Sequence, residues 1–325
     1  MQCSNQQKQY SLALHNYHDV NGKLPAPGTK VCSKKPDGTQ LAGTTSWAVT
    51  LPLLPYIEQQ ARYDSVMTHQ YNGSQTDWNG WDDQPPMKGA ISAILCPSDS
   101  RSEADSSQTA RTNIVVSYAD FINGNMDGSG AGNGRSLFVA VKWKSFAACT
   151  DGTSNTIAIS ETCASNDSGS KIAKLSTANG ITNVDTDPIG LCLNAVLDTN
   201  DRKILVNSWT GGTNSGAAGT YDGQRGATAW WFSPARTAFN TVLPPNSPNC
   251  NSYSRDSWGC YSATSNHSGG VNCGLLDGSV RFVSDTVNST TSGLLAAPKE
   301  VTSGKSQFGV WGAMGSADGG ESVAL

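Results

Sequence analysis

Nine residues lie between His267 and the Asp277-Gly278 pair, and Gly269-Gly270 falls inside that span. Histidine and aspartate are common partners in acid–base catalysis. The spacing has a second explanation. Residues 266–286 alternate apolar and polar on both sides of Asp277-Gly278, as a β-hairpin does. A two-residue turn needs φ > 0, which Asp and Gly tolerate. Turn chemistry accounts for Asp277 and Gly278, and His267 is expected to cap the start of the first strand. Such a turn pairs Leu276 with Ser279, Leu275 with Val280 and Cys273 with Phe282. Val271, Cys273, Leu275, Val280 and Phe282 then share one face, which an amphipathic helix at the chain's start is expected to cover.

Other residues could bind rather than react. Asn123, Asn125 and Asp127 alternate ahead of Gly128, like the first half of a calcium loop. The acidic twelfth position is replaced by Gly134. A glycine-rich surface loop is therefore expected, with Ca2+ as the candidate cofactor if an ion binds. Trp78 and Trp81, beside Asp and Asn, could stack on a sugar, which makes a glycan the candidate ligand; as plain core cover they need no ligand. Trp209 and Trp230-Trp231 extend that idea. His15 and His18 lie three apart, but zinc needs three or four ligands. The chain has no G-x-S-x-G, no G-x-G-x-x-G and no P-loop, and no enzyme activity is expected.

The 325 residues suffice for one large domain. Apolar content is 37% and charged content 15%, with 34 glycines, which suits a β-rich fold with long polar loops. Net charge is −4 with no Lys/Arg cluster, which argues against nucleic acid. No apolar run reaches about 18 residues, so a membrane could be reached only through a helix outside this chain. Nine cysteines with no C-x-x-C favour an oxidising, exported location, extracellular or on the cell surface. Cys250 with Cys260 is the simplest pairing and Cys149 with Cys163 a second. The odd count leaves one thiol over, for which Cys273 is the candidate.

The elements that would position these residues follow from periodicity. Tyr10, Ala13, Leu14 and Tyr17 form a helical stripe over residues 5–17, stopped by Asn21-Gly22. A second helix is expected over 52–66, with Leu53, Leu54, Ile57 and Ala61 as its stripe. Strands are expected at 114–121, 137–141, 156–161, where Ile157 and Ile159 face inwards, and 230–232. Phe308, Val310 and Trp311 suggest a last one. Residues 164–262 read as loop-rich insertions with short strands near 189–196, 204–209 and 219–221.

Several blocks together resemble a large prepilin-like family, domain of unknown function 1559. They are Met1-Gln2-Cys3-Ser4-Asn5 with Leu12-Ala13-Leu14-His15-Asn16-Tyr17-His18-Asp19, then Leu53–Gln60, Leu95-Cys96-Pro97-Ser98-Asp99 and Asp151–Ile157. The C-terminal H-x9-DG motif, with His267, Gly270, Asp277 and Gly278, and the ending from Gly309 to Glu321 complete the set. The resemblance implies an α+β, pilin-like or pseudopilin-like fold, with an N-terminal helix packed on an antiparallel sheet. Residues 1–22 would be the end of a spine helix and 23–325 a single globular head. It implies a non-enzymatic subunit of a type IV pilus-like or secretion-type filament, with self-association or other pilin-like subunits as partners. The basic leader and apolar helix usual in that family are absent from the chain. A cell-surface glycan- or solute-binding protein is the alternative.

Overall fold

The computed structural model describes residues 1–28, 47–71, 84–100, 107–122, 134–165, 171–201, 203–206, 210–211, 219–253, 257–289 and 303–321. It is an α+β structure with an N-terminal helix and two mixed five-stranded sheets. Helix α1 (Gln2–Asn21) holds no Gly or Pro. It stops at Gly22, where φ is 70° and the amide donates to His18 O, as expected of an Asn-Gly end. Tyr10, Ala13 and Leu14 are buried along it.

The expected second helix is broken. α2 (Thr50–Leu53) passes into a 3-10 turn, Glu58 turns left-handed at φ 60°, and α3 (Gln60–Tyr71) restarts. Pro55 has no N–H to donate back, which favours the break. Leu53, Leu54 and Ile57 stay buried, while Ala61 turns to solvent.

In the first sheet β1 (Ile114–Ser117) lies between β2 (Ile157–Glu161) and the later β6 (Ala238–Phe239). The second sheet joins β3 (Thr177–Asn179), β4 (Thr210–Gly211), β5 (Thr220–Asp222), β7 (Asn249–Asn251) and β8 (Gly259–Cys260). β9 (Gly270–Leu275) and β10 (Val280–Ser284) complete the first sheet, in the order β10-β9-β2-β1-β6. Short α4 (Pro234–Thr237) precedes β6, and α5 (Gly309–Gly315) comes last.

The hairpin exists, but its register is one residue off the expected one. Val280 pairs with Gly274, Arg281 with Cys273 and Val283 with Val271. Gly278 alone has φ > 0, at 86°, so the turn is not the type that needs two such residues. Leu276 N donates to Thr156 O and Asp277 N to Thr153 O. These bonds tie the turn to the loop before β2, and the chain closes a residue wider, with Leu275 N donating to Ser279 O. A one-residue slip exchanges faces. Val283 is buried, whereas Phe282 is 51% exposed.

The helix also covers the other face. Val271, Cys273, Leu275 and Val283 pack with Phe239, Trp311 and Met314, on the side of α5. α1 lies where Asn272 and Gly274 point: Gln7 Nε2 donates to Asn272 O at 2.9 Å, and a Cβ on Gly274 would come 2.9 Å from Ser11 Oγ. β1, β2 and β9 thus form a buried middle layer, with β10 as an exposed edge. A bulge between Ile157 and Ile159 sends these two residues to opposite cores.

Several further expectations are corrected. Residues 309–311 belong to helix α5 and not to a strand: Trp311 is buried there and its Nε1 donates to Leu243 O, while Phe308, just before the helix, is buried in a separate cluster. Residues 137–141 and 230–232 contribute isolated bridges, Val139 to Lys142 and Trp231 to Trp47. Residues 189–194 form a π-helix, and 204–205 make bridges only, while 220–222 is a strand. Residues 164–262 hold the whole second sheet.

The cysteine pairing differs too. The disulfides are Cys3–Cys96 and Cys192–Cys250. Cys260 sits opposite Cys250 across the β7–β8 ladder, but Cys192 takes the bond. Cys149 and Cys163 are free thiols, as are Cys260 and Cys273; Cys32 lies outside the described residues. Burial pushes the Cys163 and Cys273 thiols up to about 12, and Cys260 up as well. An alkylating reagent at neutral pH is expected to spare these three in the folded protein and label them after denaturation, read by mass spectrometry. Their folded values lie above the unfolded ~8.5, so the stability they contribute is full below about pH 8.5 and is lost as pH rises through 12.

Candidate functional site

Four segments converge at the N-terminus of α1. Cys3 occupies its first turn and is bonded to Cys96, in the turn where Asp99 N donates to Cys96 O. That turn is pinned by Asn113, which accepts from Cys96 N at 2.7 Å and donates to Asp99 Oδ2 and Thr162 O at 2.8 Å. Glu161 closes β2, and its Oε2 accepts from Asn272 N at 2.8 Å. Its Oε1 accepts from Asn272 Nδ2 at 2.9 Å and lies 3.1 Å from His267 Nε2. His267 stands before β9, its backbone N–H bonded to Ser265 Oγ. Its Nε2 is 3.8 Å from Cys96 Sγ.

The pairing of His267 with Glu161 joins a partly exposed imidazole to a buried carboxylate. Glu161 has a side-chain exposure of 4% and His267 24%, so only the imidazole meets solvent. A buried carboxylate needs hydrogen bonds or charge to be tolerated, and Asn272 and His267 supply them. Beyond His267 opens a cavity of about 420 Å3, bordered by Lys174, Lys203, Asn246 and Asp285. Lys174 Nζ donates to Ser265 O and Asn246 Nδ2 to Asp285 Oδ1. The couple can hold or pass a proton. Both neighbouring sulfurs are in the disulfide, and neither serves as a nucleophile while it is closed.

The His267–Asp277 reading separates in space. Asp277 Oδ1 accepts from Ser279 N and Ser279 Oγ, which is turn chemistry at the far end of β9. Gly278 lies beneath His15, and Gly270 beneath the Phe282 ring. His15 Nε2 is 2.9 Å from Leu276 O, and the rings of His15 and His18 both pack at a tilt against Phe146. Asn123, Asn125 and Asp127 lie outside the described residues, as do Trp78, Trp81 and Trp209. Trp230 is fully buried and donates to Met87 O, so it has no face for a sugar. Glu161, Asn272 and the Cys3–Cys96 pairing were missed from sequence. Glu161 is 106 residues from His267, and no local pattern marks it.

The Asp151 block meets two other blocks. Asp151 Oδ2 accepts from Gly319 N at 2.6 Å and Oδ1 from Gly320 N at 2.8 Å, while Thr153 and Thr156 carbonyls hold the hairpin turn. The class this defines is an α+β protein whose first helix is clamped by a disulfide beside a His–Glu couple with a buried carboxylate. The chain belongs to the family described as "Protein of unknown function (DUF1559)", whose family model, SBP_bac_10, matches residues 1–290. No curated protein and no solved structure matches it.

Proposed function

We propose that the chain is the head of an exported, non-enzymatic, pilin-like or pseudopilin-like filament subunit. The observation that carries this is α1. One side is buried on the first sheet, while Leu12 (55%) and Val20 (73%) project outward as apolar positions that a neighbouring subunit could cover. β10, an edge strand with a half-exposed Phe282, offers a second contact. Two disulfides suit an oxidising compartment. The resemblance of the sequence blocks to a prepilin-like family implies assembly.

The test is immunogold electron microscopy of cells and of their sheared surface fraction. Labelled filaments are expected, and they are expected to disappear on Leu12→Glu/Val20→Glu substitution. A protein that stays in the cell body, or filaments indifferent to both substitutions, would sink the reading. The alternative, a solute-binding protein, is favoured by the cavity beside His267, whose size suits a small ligand and whose rim holds two lysines. A thermal-shift screen of acidic sugars separates the two, because ligand stabilisation abolished by Lys174→Ala/Lys203→Ala points to capture.

A further inference from the structure

The side chains gathered around the first disulfide have a use that the disulfide itself hides. Cys3 Sγ, Cys96 Sγ, His267 Nε2 and one Glu161 oxygen all lie within 4.8 Å of one another. They come from α1, the turn after residue 94, the end of β2 and the segment before β9. A tetrahedral zinc ion, with bonds of about 2.0–2.3 Å, holds its ligand atoms roughly 3.3–3.8 Å apart. His267 Nε2 already stands 3.8 Å from Cys96 Sγ and 3.1 Å from Glu161 Oε1. The two sulfurs, now bonded, must part by more than an ångström, and their Cα atoms are 4.8 Å from each other.

We propose that opening the Cys3–Cys96 disulfide turns this cluster into a zinc site of two thiolates, one imidazole and one carboxylate. A dithiol supplies the two electrons: it leaves as a cyclic disulfide, and the S–S bond becomes two thiols. Zinc then takes both sulfurs as thiolates, and their two protons go to solvent. Thiolate sulfur, imidazole nitrogen and carboxylate oxygen are all ligands that zinc takes. Asn272, through its N–H and Nδ2, keeps hold of the carboxylate and orients it, as outer-shell partners do at metal sites. Cys3 lies in the first turn of a 20-residue helix, where unpaired amides favour a thiolate. Entry is through the imidazole edge, which borders the cavity. In the closed state the same place offers a metal only two ligands, so the disulfide and the ion exclude each other. The site stands whether or not the chain assembles into filaments.

Selective reduction is favoured by exposure. Cys3 (5%) and Cys96 (8%) touch solvent, whereas Cys192 is at 0% and Cys250 at 0%. Protein left oxidised and protein treated with a dithiol under argon, then freed of reagent, are titrated with zinc against a chromophoric chelator and with cobalt(II). The reduced chain is expected to take one zinc. Its cobalt(II) form should show thiolate charge-transfer and tetrahedral bands, and the oxidised chain neither. His267→Gln, folded with its disulfide closed as checked by circular dichroism, should after reduction bind more than about a hundredfold more weakly, beyond the usual loss from an outer-shell change. Failure of the reduced wild type to bind overturns the proposal. So does equal binding by His267→Gln or by Cys3→Ser/Cys96→Ser, which would place the metal on the other thiols.

Discussion

Replacing Arg225 by methionine is expected to cost roughly 3–5 kcal/mol of folding stability. The guanidinium is fully buried. Its Nη1 donates to the carbonyls of Pro234, Ala235 and Ala238, and its Nη2 to Ser262 O. One side chain thus ties α4 and the start of β6 to the segment leaving β8, and it also lies over the Tyr261 ring. Methionine fills much of the volume but strands four carbonyls away from water. Each unsatisfied group costs about 1–3 kcal/mol, reduced where the chain relaxes or water enters. Urea denaturation of both proteins measures the difference. A loss under about 1 kcal/mol would show that the four bonds add little beyond packing.

Converting Cys192 and Cys250 to alanine should destabilise the protein by about 4 kcal/mol, on the chain-entropy estimate for a loop of 58 residues. The site of the damage is as informative as its size. The sheet it staples has strands of only two or three residues, too short to hold by their ladders alone. Hydrogen exchange should therefore quicken across β3, β5 and β7 while β1, β2 and β9 keep their protection. Uniform acceleration over both sheets would mean the two unfold as one unit. No acceleration would mean that the core around Val184, Val196 and Leu205 suffices without the crosslink.

How much of this was legible beforehand depended on how local each cause is. Helix α1 and its end were readable, because a 3.6-residue stripe and an Asn-Gly stop act within a few residues. The strands around 114–117 and 157–161 were readable for the same reason. The hairpin's existence was local, but its register was not. Thr153 and Thr156, more than a hundred residues upstream, take the turn's amides and widen it by one residue. That single shift moves Val283 inside and Phe282 out. The sheet's second buried face was also hidden, since a strand covered on both sides loses the contrast that marks which side meets the helix.

The candidate site was the least visible part. His267 was singled out, but with Asp277 as its conceivable partner, and the two end up at opposite ends of β9. Cys3 and Cys96 are 93 positions apart, and spacing along a chain says nothing about pairs so distant. Composition pointed to an oxidising setting, yet not to which sulfurs meet. Cys250 and Cys260 do sit side by side across a ladder, and still Cys192 reaches in from the π-helix to claim the bond.

From residues alone came the class, the first helix and the family blocks, each written in patterns a few residues long. Folding decided the partners: which sulfur joins which, that Glu161 rather than Asp277 faces His267, and which side of β9 the helix covers. Those choices rest on contacts between segments 58 to 265 residues apart, whose closeness is set by the packing of two cores and not by any stretch of sequence.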